Sequence, residues 1–197
     1  MTTRNRGKET GDDELFGSKK IILKIREALK DTNYLLSRNY PDKASSELVG
    51  NNYKLKSRQI KVLRAASASN QQLENRKSKQ LSISDLQNKI IYLDGFNIII
   101  LLGSLLSGAY IFQGLDSCYW DLSGVHGTYK RVNQTYQSVE LVYSFFKKSK
   151  AEKLVWVFDK PVSNSGRIKQ LISSFAEENQ LNWEVILENN PDKYLIE

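Results

Sequence analysis

Apolar positions recur at helical spacing from Ser18 onward, with Ile21, Ile22, Ile25, Ala28 and Leu29 followed by Leu35 and Leu36, which predicts a helix capped by Ser18. Asn39-Tyr40-Pro41-Asp42 then reads as a turn, because a proline biases the residue before it away from the helical region. A short helix over 43–49 and a longer one over 57–73 follow, the latter with Ile60, Leu63, Ala66 and Ala68 on one side. The polar stretch 71–83 is a linker or a continuation of that helix. Residues 1–17 are polar and mixed in charge, and predict a disordered or loosely attached arm.

The period changes after Lys89. A strand at 89–94, a buried helix at 98–107 and a short strand at 109–112 are followed by a turn-rich loop at 115–127. A long helix over 129–148 shows Val132, Tyr136, Val139, Val142, Tyr143 and Phe146 on one face, and a strand at 153–158, a helix at 166–179 and a strand at 183–187 complete the alternation. Alternation of this kind predicts an α/β fold: a parallel sheet with right-handed crossovers and helices on both sides. The expected organisation is an arm (1–17), a helical module (18–80) and an α/β domain (81–197).

Charge separates the two modules. Residues 1–80 hold 18 Lys/Arg and 9 Asp/Glu, a net +9, whereas residues 81–197 hold 11 and 13, a net −2. A basic module beside a mildly acidic one suggests a polyanion partner for the first; a merely solvated surface is the plainer alternative. Arg58, Lys61 and Arg64, three residues apart, would line one helical stripe suited to phosphates or simply facing water. The apolar run 98–112 is 15 residues long, short of the ~20 a membrane helix needs, so no membrane span is expected. The one cysteine, Cys118, excludes an internal disulfide framework and fits a reducing, cytoplasmic setting. A nucleophilic Cys118 would need a base, and the only histidine, His126, stands eight residues on in a Gly-rich stretch, so we do not read them as a catalytic pair.

Candidate chemistry sits at strand ends. The apolar run Ile90-Ile91-Tyr92-Leu93 is cut off by Asp94-Gly95-Phe96-Asn97, and Leu154-Val155-Trp156-Val157-Phe158 ends likewise at Asp159. Carboxylates at the C-terminal edge of a parallel sheet face the crevice where ligands bind, and two of them can hold a divalent cation; each can equally cap the following helix. The segment 161–166, flanked by Lys160 and Arg167, could present backbone amides and the Ser163 and Ser165 hydroxyls to a phosphate, or use those serines as caps. Gly124-Val125-His126-Gly127 matches neither a P-loop nor a dinucleotide fingerprint. Tyr34, Arg38 and Tyr40 are able to stack on bases, or to pack at helix ends.

Several blocks in order resemble the family known as domain of unknown function 434, whose second half is PIN-like. They are Asp31-Thr32-Asn33-Tyr34-Leu35-Leu36-Ser37-Arg38-Asn39-Tyr40-Pro41, Glu47-Leu48-Val49-Gly50-Asn51-Asn52-Tyr53-Lys54-Leu55, Leu93-Asp94-Gly95-Phe96-Asn97, Asp121 through Gly127, and Phe158 through Gly166. The resemblance implies a PIN-like three-layer sandwich in which carboxylates at strand ends hold Mg²⁺ or Mn²⁺ for cleavage of a phosphodiester, with RNA favoured over DNA. On that resemblance Asp94, Asp159 and Asp192 are the catalytic, metal-holding acids, and Asn97 orients a ligand or water. Lys160, Ser163, Ser165, Arg167, Arg58, Lys61 and Arg64 would meet the nucleic acid. The sequence departs from the family pattern at Gly103, where a glutamate is expected, at Trp120 before Asp121, and at Leu115 before Asp116; the α/β domain is expected to lack its last strand. Two further readings stay open: a non-catalytic nucleic-acid-binding protein, and a protein-interaction component of a toxin–antitoxin-like system.

Overall fold

The computed structural model of the protein describes residues 7–123 and 134–196. In chain order the elements are α1 (Asp12–Phe16), α2 (Lys19–Leu36), α3 (Asp42–Asn52), α4 (Ser57–Ala66), α5 (Asn70–Ser78), β1 (Ile90–Asp94) and α6 (Gly95–Leu106). After them come β2 (Phe112–Gln113), β3 (Tyr119–Trp120), α7 (Gln134–Ser149), β4 (Lys153–Asp159), α8 (Ser165–Glu178), β5 (Trp183–Glu188) and α9 (Pro191–Ile196). They form two compact units: Gly7–Gln80 with Gly108–Leu122, and Leu81–Ser107 with Ser123–Glu197.

In the helical unit, α2 starts where the pattern places it. The Ser18 hydroxyl accepts the Ile21 amide at 3.2 Å, and Ile25, Ala28, Leu29 and Thr32 turn inward. They meet Val49 of α3 and Val62, Leu63 and Ala66 of α4 in one apolar core. The expected helix over 57–73 is two helices. Ser69 and Gln72 exchange side-chain-to-backbone hydrogen bonds at 2.9 and 3.2 Å, a capping box that starts α5, while the Asn33 amide donates to the Ala68 carbonyl at 2.6 Å across the break.

The expectation of a loose arm needs correction from Gly7 onward; residues 1–6 lie outside the described residues. Phe16 is 2 % exposed, edge-on to Phe112 at 5.0 Å between ring centroids and 5.4 Å from Tyr110. Asp12 is 1 % exposed and ion-paired to Arg58. The segment's charges are satisfied by long-range partners, which a local polarity pattern cannot register. The contiguous division at residue 80 is likewise changed: 108–122 contributes the antiparallel β2–β3 pair and Tyr110, Phe112, Trp120 and Leu122 to the helical unit's core, and the Leu115 amide donates to the Ala66 carbonyl at 3.0 Å.

The second unit is α/β, with a three-stranded parallel sheet in the order β1-β4-β5. Partners in register share a face of a sheet, as do residues two apart along a strand. Leu93, Trp156 and Val185 are in register and, with Ile91, Leu154, Phe158, Trp183 and Leu187, form the inner face. Three helices contribute to one core over it: Phe96, Ile99 and Ile100 from α6, Val139 and Val142 from α7, and Ile168, Ile172 and Phe175 from α8. Helices were expected on both sides of the sheet. Among the described residues the opposite face carries the short α9, whose Tyr194 ring lies 6.2 Å from that of Tyr92. The N-terminal part of the helix expected over 129–148, Val132 included, lies outside the described residues.

Candidate functional site

Asp94 ends β1 and caps α6. Its Oδ1 accepts the Asn97 amide N–H at 3.0 Å and its Oδ2 accepts the Asn97 side-chain amide at 2.6 Å, so Asn97 fixes the rotamer of this carboxylate. Gly95 permits the tight turn between strand and helix: a Cβ there would sit 2.4 Å from the Phe158 ring. Asp94 is in register with Val157, and Asp159 lies two residues farther along β4 on the same face. Strand spacing and rise put their Cα atoms about 8 Å apart, close enough for both side chains to approach one ligand. Asp192 lies in the first turn of α9, behind the buried Pro191.

The charges of Asp192 and Asp159 act on Asp94, and that of Asp192 acts on Asp159. Burial pushes the Asp94 carboxyl above the ordinary range, and the charges of Asp192 and Asp159 push it further, against the pull of the Asn97 hydrogen bonds. Burial and then the charge of Asp192 raise Asp159. All the donors here are hard oxygens, a set suited to Mg²⁺ or Mn²⁺. Among the described residues no three His, Cys, Asp or Glu side chains are gathered into a ready cage. A cation at these acids would therefore keep several of its waters, as Mg²⁺ ordinarily does.

Sequence reasoning overlooked Glu188. It ends β5 in register with Asp159, which places it on the same face of the same rim, and the signal, an acid closing a third apolar run, was already in the chain. Gly103, at the position where a glutamate was expected, is buried within α6.

The other predicted residues divide. Lys160, Ser163 and Arg167 are exposed around the start of α8. Ser165 is buried, and its hydroxyl donates to the Lys160 carbonyl at 3.4 Å. Asn164, in the left-handed region at φ 70°, is the N-cap, so neither serine fills that position. The stripe Arg58, Lys61 and Arg64 does not form a common phosphate-facing row. Arg58 is 8 % exposed; its Nε donates to Asp12 Oδ1 at 2.5 Å, its Nη1 to Glu9 at 2.7 Å and its Nη2 to the Gly7 carbonyl at 2.7 Å. Arg64 donates to Asp42 at 3.2 Å, and Lys61 is exposed. Burial, with the nearby Asp116 carboxylate, raises the Cys118 thiol, which keeps it protonated and a poor nucleophile; His126 lies outside the described residues.

Residues 83–197 match the family model described as Domain of unknown function (DUF5616), and residues 24–79 that described as Protein of unknown function (DUF434). The chain is 29 % identical over 164 residues to the "Uncharacterized protein MJ0935" of Methanocaldococcus jannaschii, a similarity covering 81 % of this chain and 78 % of that one. No solved structure matches the chain. No helix among the described residues is long and apolar enough to cross a membrane.

Proposed function

We propose that this chain, which belongs to the family described as Domain of unknown function (DUF5616), is a PIN-like, metal-dependent nuclease that hydrolyses phosphodiester bonds, with RNA as substrate in preference to DNA. One observation supports the reading: Asp94 and Asp159 end adjacent parallel strands on one face, with Asp192 in the first turn of the helix after the third strand, and the charges of Asp159 and Asp192 raise the Asp94 carboxyl. Mutually repelling carboxylates cost stability unless a cation is their partner, and such arrangements concentrate at functional sites. Asp94, Asp159 and Asp192 would hold Mg²⁺ or Mn²⁺, with Glu188 beside Asp159 as a further oxygen donor. When bound, such an ion lowers the pKa of a water and steadies phosphate oxygens. Asn97 keeps Asp94 aimed at the rim, and Lys160 and Arg167 offer positive charge to a phosphate near the start of α8. The lone cysteine fits a cytoplasmic setting.

The test is cleavage of labelled single-stranded RNA with Mn²⁺ by the wild type and by Asp94→Asn. Loss of cleavage in the variant is expected; unchanged cleavage would remove the site from consideration. A second reading, nucleic-acid binding without catalysis, is favoured by Gly103 and by the lack of a ready three-acid cage among the described residues. Salt-sensitive binding with no cleavage by the wild type would select it.

A further inference from the structure

We infer that the outward face of α2 is a docking surface for single-stranded nucleic acid, with Tyr34 and Arg38 as its base-stacking end; this rests on the nucleic-acid part of the reading above. Residues three and four apart share a helix face, and with Ile25, Ala28, Leu29 and Thr32 turned to the core, the outward row runs through Lys20, Leu23, Glu27, Lys30 and Tyr34. Arg38 follows in the turn beyond the helix. Two large side chains on this row stay open to solvent, Leu23 at 49 % and Tyr34 at 55 % exposure. The Arg38 guanidinium lies 3.6 Å from the centre of the Tyr34 ring. That pair is a flat, cationic π surface already assembled, of the kind on which unpaired bases stack.

The charges on α2 run against what the helix itself favours. Its first turn contains no acid, Lys19 and Lys20 open the helix where its dipole is positive, and Lys24 follows one turn after Lys20. Like charge there costs local stability, and a polyanion lying along the helix would relieve it. Elsewhere in this unit Lys8, Arg58, Arg64 and Arg76 each have a carboxylate partner. On α2, Lys30 is paired with Glu27, and Asp31 accepts the Tyr53 hydroxyl at 2.8 Å, so the acids of this face are engaged locally. Lys19, Lys20, Lys24 and Arg26 are exposed, and none makes an ion pair with a described residue. The remaining unpaired lysines of the unit are spread one or two to an element. Aromatic and cationic groups on one solvent-facing row suit a strand with unstacked bases better than a duplex, whose bases are hidden.

The experiment measures binding of a fluorescein-labelled single-stranded oligoribonucleotide carrying one 2-aminopurine, in EDTA so that cleavage plays no part. Tyr34→Ala is expected to weaken binding about tenfold, the worth of one base stack, and to abolish the 2-aminopurine quenching seen with the wild type. Replacing both Lys20 and Lys24 by Glu should flatten the slope of log affinity against log salt by about 1.4, for two phosphate contacts. Lys77→Glu, on α5, should stay within about twofold of the wild type, since one charge away from the strand changes only the distant field. Circular dichroism of each variant identical to the wild type shows that the fold is kept. If the wild type binds and both α2 variants bind equally well, this face is wrong while nucleic-acid binding stands. If the wild type binds no RNA, the reading it rests on falls as well. Binding of polyglutamate at equal charge as tightly as the RNA, and with the same loss in Tyr34→Ala, would assign the face to an acidic protein and overturn the inference.

Discussion

Asp94 does two things at once: it caps α6 and it bears the charges of Asp192 and Asp159. Asn is as good a cap as Asp, so Asp94→Asn should keep the helix start while relieving the repulsion. A carboxyl whose pKa is raised by folding loses stability as pH climbs from its ordinary value, 3.8, through the raised one. We therefore expect Asp94→Asn to melt at or above the wild-type temperature at pH 7, with the advantage gone below about pH 3.8, as calorimetry across pH would show. Asp94→Ala, which loses the cap, should forfeit about 1 kcal/mol relative to Asn. Asp12 behaves with the opposite sign. Burial alone would raise it, but its hydrogen bonds and the charges of Arg58 and Lys8 outweigh that and hold it low. Its contribution is thus complete above the ordinary carboxylate range and lost as pH falls through the depressed value. Arg58→Ala, which strands a buried carboxylate, should cost about 3–5 kcal/mol in urea unfolding at pH 7. Asp94 and Asp159 were legible because each cuts short an apolar run; the Arg58–Asp12 pair, spanning 46 positions, leaves no local trace.

Among elements, those whose stability is local were legible. α2 announced itself through its cap and its inward stripe, and β4 through five consecutive apolar residues, all buried. The break at Ser67-Ala68-Ser69 has neither glycine nor proline, and a capping box can interrupt a helix without either. α5, which buries no residue, depends on that box. Ser69→Ala should therefore cost this helix about 1 kcal/mol and show as faster amide hydrogen exchange in α5 than in α2 or α4. At the β1–α6 junction, adding one methyl is expected to do more. Gly95→Ala would drive a Cβ into the Phe158 ring, itself edge-on to Phe96 at 5.0 Å, so the ring and the strand beneath it must shift. Overpacking of this kind costs about 1–3 kcal/mol, readable as a lowered midpoint of chemical unfolding.

At the scale of the whole molecule, the sequence showed two modules but not their interleaving. Composition changes near residue 80, and a cut there is the natural reading; no charge or hydropathy signal marks 108–122 as belonging with the helices. Only packing does so, through Phe112 and Tyr110 against Phe16 and through the Arg76–Asp116 ion pair. A fragment ending at Gln80 should accordingly lack part of its core and unfold without a cooperative transition. Adding a peptide of residues 108–122 should restore one, with calorimetry as the readout.

Because its closing hairpin is encoded after β1 and α6, the helical unit cannot be finished until residues 108–122 have left the ribosome. By then the first strand of the other unit has already emerged and must wait, unpaired, for β4, its partner in the sheet. The helical unit is thus completed only after synthesis of the other has begun, so the two mature in overlap.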